Sequence, residues 1–144
     1  MASTPIEERF SAALHHSARA WRLAVDRRLK DLGLSQAGWM TIAVVAKAPR
    51  SQTEIARHVG VEGATMVAML DRLAKAGLIT RAPSPTDRRV KLVELTDAGR
   101  LLYAQVRREA DAVRHRLLAG IDAASLEDAA RLLEQLHAAA EAIE

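Results

Sequence analysis

The sequence predicts a mostly α-helical protein with one small β-hairpin. Three observations carry this. Alanine and leucine are abundant, while Phe, Tyr and Trp together make up only 3% of the chain, a composition suited to helices. Apolar residues recur at three- and four-residue steps along most of the 144 positions. The segment 78–95 breaks that rhythm: two short apolar runs flank the polar turn "PSPTDRR".

Each element follows from local chemistry. A long helix spans Pro5 to Leu32, with Phe10, Leu14, Trp21, Val25, Leu29 and Leu32 along one stripe and Gly33 just past its end. Ser35 caps a second helix reaching about Ala46, with Trp39, Ile42 and Val45 on one side, and Pro49 stops it. Ser51 followed three residues later by Glu54 reads as a capping box for a short helix to about His58, broken at Gly60. Another helix runs from about Glu62 to Lys75, with Val67, Leu70 and Leu73 expected to face inward and Gly77 ending it. Met66 and Met69 are expected to pack as well. Strands are expected over 78–82 and 90–95. Thr96 caps a helix from Asp97 to Leu118, whose apolar residues include Leu101, Val106, Val113 and Leu117. Ser125, with Asp128 three residues on, is expected to start a last helix to about Ile143.

Two short helices joined by a glycine-containing turn, then a hairpin, make a winged helix-turn-helix over 35–95. The segments 1–34 and 96–144 form a helical region on either side of it. Phe10, Leu14, Leu101, Leu117, Leu132, Leu133 and Leu136 give those outer helices apolar stripes that a monomer would leave wet. A second copy would cover them, so 1–34 and 96–144 are expected to be dimerisation helices in a homodimer.

The chain contains no cysteine, which removes disulfides, thiolate metal sites and thiol redox chemistry. No apolar run approaches the roughly 18 residues a membrane span needs, and the first residues carry no signal-peptide pattern. A cytoplasmic protein without a membrane partner is expected. His15 and His16 are adjacent, and His58, His115 and His137 are scattered. Adjacent positions on a helix are not expected to serve one site. With no Gly-rich phosphate loop and no nucleophile motif, neither an enzyme, a metal site nor a bound cofactor is expected.

Charge is concentrated in the middle. From Lys47 to Lys91 nine basic residues face four acidic ones, a local net charge of +5 in a chain of net +3. A basic centre between slightly acidic flanks suits a polyanion, and the helix-turn-helix makes it double-stranded DNA. The leading turns of the second helix would enter the major groove through Glu62, Gly63, Ala64 and Thr65. Thr65 can hydrogen-bond a base or touch a thymine methyl, and Glu62 can accept from a cytosine amine. Ser51, at the start of the first helix of the pair, joins this set. Arg88 and Arg89 sit at the hairpin tip, where a guanidinium can enter a narrow minor groove. Arg81 and Lys91 at the hairpin base would contact phosphates. A winged helix used only for protein contacts is the alternative, and its wing would be apolar or acidic rather than basic.

The run "LDRLAKAGLITR" followed by "SPTDRRVKLVELTDAG" resembles the MarR family of winged-helix regulators, over nearly the whole chain. "ARAWRLAVDRRLKDLGLSQAGW" and "GVEGATMVAMLDRL" are similar to its SlyA-like branch. The resemblance implies a dimeric transcription regulator binding a pseudo-palindromic operator, with the outer helices as dimer interface. It implies that Arg89 is the minor-groove arginine and that Asp71 braces the wing by pairing with it. Ala68 stands where SlyA-like recognition helices carry arginine, and Ala43 where some ligand-responsive members carry histidine. The resemblance also suggests a small aromatic anion as effector, most simply a carboxylate. Trp21, Trp39, Arg19, Arg22 and His15 are the expected receptor, combining indole walls with charge-assisted hydrogen bonds.

Overall fold

The computed structural model describes residues 1–143. Six α-helices and a three-stranded antiparallel sheet follow in the order α1 (Pro5–Leu29), α2 (Gln36–Lys47), β1 (Arg50–Ser51), α3 (Gln52–Val59), α4 (Gly63–Lys75), β2 (Ile79–Pro83), β3 (Lys91–Leu95), α5 (Asp97–Leu118) and α6 (Ala123–Glu141). The mostly helical class with a small wing sheet is therefore observed. The chain divides into two compact units, Met1–Val113 and a second beginning at Arg114. No helix among the described residues is long and apolar enough to cross a membrane.

Within the first unit the helix-turn-helix and the sheet share one core. Ile42 and Val45 of α2, Ile55 of α3, Met66, Met69, Leu70 and Leu73 of α4, Ile79 of β2 and Val93 and Leu95 of β3 are all buried together. A smaller cluster joins Val25 and Leu29 of α1 to Val106 of α5, with Trp39 packed against it. An ion pair between Arg28 and Glu109 ties the same two helices at the surface.

Several boundaries differ from the sequence expectation. The first α-helix ends at Leu29, and Lys30–Leu32 tighten into a 3-10 turn closed by Gly33 at φ 74°. Arg50–Ser51 add a short strand, paired with Val93 and Leu92, so the wing is three-stranded rather than a bare hairpin. Two residues carry too little pattern to announce a strand. The last helix starts at Ala123, not Ser125. Asp122 is its cap, the carboxylate accepting from the Ser125 amide at 3.1 Å. An ionised carboxylate is the stronger acceptor for unpaired helix N–H groups.

Val67 is a further correction. It is 41% exposed, whereas Met66 is completely buried. Met66, Met69, Leu70 and Leu73 are buried as expected, and Val67 alone leaves the inward set. Met66 and Met69 join the core that α4 shares with α2, α3 and the sheet, the Met69 sulfur lying toward Gly38 of α2, and Val67 stays outside.

The join between wing and α5 is tight. The Thr96 amide donates to the Leu78 carbonyl at 3.1 Å. The Thr96 hydroxyl donates to the Gly77 carbonyl at 2.6 Å and accepts from the Gly99 amide at 3.1 Å. A side chain on Gly99 would begin 2.1 Å from the Leu78 carbonyl oxygen, which is why only glycine stands there.

Candidate nucleic-acid interface

The interface is assembled from two elements of the first unit, the leading end of α4 and the wing. The Ser51 hydroxyl accepts from the Glu54 amide at 3.3 Å and lies 3.1 Å from the Glu54 carboxylate. Donation from the Ser51 hydroxyl to the carboxylate, aided by the Ser51 amide and the Arg50 guanidinium, holds the Glu54 carboxyl below the usual glutamate range. Ser51 is half-buried and engaged as the cap of α3, so its hydroxyl is committed within the fold. Gly60 turns the chain with φ 75°, a conformation that costs glycine little. α4 then begins at Gly63, with Glu62 as N-cap making no side-chain capping bond. Glu62, Gly63, Ala64 and Thr65 are all exposed at this leading end.

The wing tip is organised around Asp87 and Ser84. Ser84 is buried, its amide donating to the Val90 carbonyl at 2.7 Å, and its hydroxyl accepts from the Thr86 amide at 3.3 Å. The Asp87 carboxylate accepts from the Arg89 amide at 3.0 Å, from Arg89 Nε at 3.1 Å and from Arg89 Nη2 at 3.2 Å. The Arg89 side chain, aided by its own amide, thereby holds the Asp87 carboxyl below the usual aspartate range. The Arg89 side chain is still 90% exposed. The "TDRR" turn thus leaves the guanidinium exposed to solvent while Asp87 holds two of its nitrogens. Arg88 is exposed beside it, and Lys91 is exposed at the end of β3, opposite Pro83.

Asp71 does not pair with Arg89. Its Oδ1 accepts from Arg81 Nη2 at 2.8 Å. Arg81 lies on β2, a few residues beyond the turn that ends α4, whereas Arg89 at the tip is taken by Asp87 two residues away. α4 is therefore strapped to the base of the wing rather than to its tip. Arg81 keeps a side chain only 30% exposed, so the expected phosphate contact starts from an already paired group. The opposite charges of Asp71 and Arg81, flanking the Gly77 turn, were the sequence signal for this pair.

The expected effector residues separate into two groups. His15, Arg19 and Arg22 line one open concavity of about 570 Å3, together with His16, Leu23 and Gln36. The two adjacent histidines thus border the same space, contrary to expectation, because the concavity is broad enough to span neighbouring positions on the helix. Neither tryptophan lines it. The Trp39 indole N–H donates to Asp26 Oδ1 at 2.9 Å while its ring packs on the α1–α5 cluster, and Trp21 is an exposed residue of α1. No group of three or more His, Asp or Glu among the described residues could hold a metal ion.

Fold and site together define a winged helix-turn-helix protein with a basic wing. The MarR family profile matches residues 32–90. Transcriptional regulator PA3341 is 39% identical, with a TM-score of 0.84 over 92% of this chain and 98% of that one. The MarR family protein Rv2887 of Mycobacterium tuberculosis, solved in complex with p-aminosalicylic acid, is 27% identical, with a TM-score of 0.73 over 88% of this chain and 97% of that one. CouR from Rhodococcus jostii RHA1, solved with p-coumaroyl-CoA, shares the fold at 24% identity and a TM-score of 0.80, over 93% and 95% of the two chains. The chain belongs to the MarR family of transcriptional regulators.

Proposed function

We propose that the chain is a cytoplasmic, homodimeric regulator that binds a pseudo-palindromic operator in double-stranded DNA and leaves it when a small aromatic anion binds. On this reading it sits in the SlyA-like branch, on the strength of the α1 and α4 segments quoted above. The observation that carries the DNA reading is the wing: Arg89 is projected into solvent from a turn that Asp87 and Ser84 hold in place. A guanidinium so exposed contributes little to the fold and is suited to a minor groove, while Glu62, Gly63, Ala64 and Thr65 face the adjacent major groove.

The dimer rests on unpartnered apolar surface. No residue of α6 is buried, and Leu132, Leu133 and Leu136 on it are exposed, as are Leu117 and Ile121 before it. Phe10 and Leu14 of α1 are exposed as well. A second copy covers these faces, so 1–34 and 96–144 serve as dimerisation region and 35–95 as DNA-binding domain.

The effector reading rests on the α1 concavity, where Arg19, Arg22, His15 and His16 meet Leu23 with no acidic residue in the lining. It also draws support from the p-aminosalicylic acid complex of the Rv2887 relative. Trp39 is engaged with Asp26 and the α1–α5 cluster, and Trp21 is the exposed indole on the same helix as the concavity.

Selection of bound sequences from random duplex DNA, followed by anisotropy titration at several salt concentrations, tests the central reading. A steep salt dependence and half-sites about one helical turn apart, roughly ten base pairs, are expected. A flat salt response, or equal affinity for scrambled DNA, would leave the protein-contact alternative standing. For the effector, salicylate-like acids should perturb tryptophan fluorescence and release DNA, and Arg22→Ala should blunt both effects.

A further inference from the structure

We infer that the recognition helix reads its operator chiefly through thymine C5-methyl groups, contacted by Val67 with Ala64 and Ala68 beside it. This rests on the DNA-binding reading above.

The argument starts from what α4 exposes. Its buried residues are Met66, Met69, Leu70 and Leu73. At 100° per residue, the opposite meridian carries Ala64, Ala68, Asp71 and Lys75, with Val67 on one flank and Thr65 on the other. Between Glu62 and Leu70 there is no Arg, Lys, Asn or Gln, the side chains that make paired hydrogen bonds to guanine or adenine. Farther along, Asp71 is held by Arg81, and Arg72 lies over a concavity shared with Leu32, Met69 and Leu102. The leading turns therefore offer a base pair one hydroxyl, one carboxylate and a set of methyl groups.

Such a face suits one chemical feature of the major groove. Only thymine presents an apolar group there, the C5-methyl. Gly63, Ala64 and Ala68 keep the helix slim, which lets it seat deeply. Val67 then supplies a branched apolar side chain at 41% exposure, placed beside the groove-facing meridian. Affinity comes from the basic central segment through phosphates, and discrimination from methyl contact.

The test uses the full-length dimer and a selected operator synthesised with deoxyuridine in place of individual thymidines. That exchange removes only the methyl and keeps base pairing. Burying one methyl group corresponds to roughly a four-fold change in Kd, so replacement in both half-sites should weaken binding roughly fifteen-fold. Val67→Ala should bind the normal operator more weakly and lose the discrimination at one position while keeping it elsewhere. Coupling of this kind separates direct contact from altered DNA flexibility. Because Val67 is exposed, the variant should keep its thermal midpoint; if it does not, Val67→Thr, which keeps the shape, takes its place. Normal binding with less than a two-fold uracil effect at every position overturns this inference alone. An unchanged uracil effect in Val67→Ala also overturns it. Failure to bind any unmodified duplex overturns the regulator reading, and this inference with it.

Discussion

Gly99→Ala should be among the most damaging single-methyl additions in the chain. The new Cβ would lie 2.1 Å from the Leu78 carbonyl oxygen, 3.2 Å from the Leu78 carbonyl carbon and 3.3 Å from Leu95 Cβ. Carbon and oxygen normally approach to about 3.3 Å, so the backbone of α5 and that of residue 78 must separate by about 1 Å. No flexible side chain can give way instead. The same carbonyl accepts the Thr96 amide, and Thr96 in turn is bonded to Gly77 and Gly99. Overpacking of this kind costs about 1–3 kcal/mol, and loss of the shared hydrogen bond adds about 1 kcal/mol. A total near 3 kcal/mol corresponds to a fall in melting temperature of about 6–12 °C for a chain of this size. Thermal and urea unfolding followed by circular dichroism, at fixed protein concentration, measure it. Gly63→Ala is the control: a methyl there meets nothing within 4 Å, and the melting temperature should hold or rise slightly. A Gly99→Ala protein that melts within 1 °C of wild type would refute the account of this junction.

Other expectations concern binding and assembly. Arg89→Ala should weaken operator binding by about 1–3 kcal/mol with the melting temperature nearly unchanged, read by anisotropy and circular dichroism; unaltered affinity would take the wing out of the groove. Deleting residues 126–144 should abolish dimerisation and high-affinity DNA binding together, and a monodisperse truncated monomer in sedimentation analysis would contradict that. The Asp87 carboxyl should titrate below the usual aspartate range in a carbon-detected NMR titration, because the Arg89 side chain and amide favour its charged form. Its contribution to wing order is complete above the unfolded aspartate pKa and is lost as pH falls through the depressed folded value. In Arg89→Ala that midpoint should move back up, and a midpoint indifferent to Arg89 would show that the fork does not persist in solution.

The sequence by itself determined the six helices and the hairpin, though not the two-residue strand at Arg50–Ser51. Caps such as Ser35 and Ser51, stops at Gly33, Gly60 and Gly77, and helical periodicity are local signals, and each produced an element within a few residues of its expected place. It also located the exposed arginine pair, because "TDRR" after a short strand is a turn whatever surrounds it. Tertiary structure decided what local pattern leaves degenerate. On α4 the sequence pattern allowed Met66, Val67, Met69, Leu70 and Leu73 all to face inward, and only the packed sheet and neighbouring helices left Val67 outside. The family resemblance paired Asp71 with Arg89. The strand register placed Arg81 beside it and left Arg89 to Asp87. The Trp39 indole went to Asp26 and an interhelical cluster because its ring, packed where α1, α2 and α5 meet, has its N–H facing a carboxylate. Which of several chemically suitable partners a side chain takes depends on distances across the fold, and those exist only once the elements have packed.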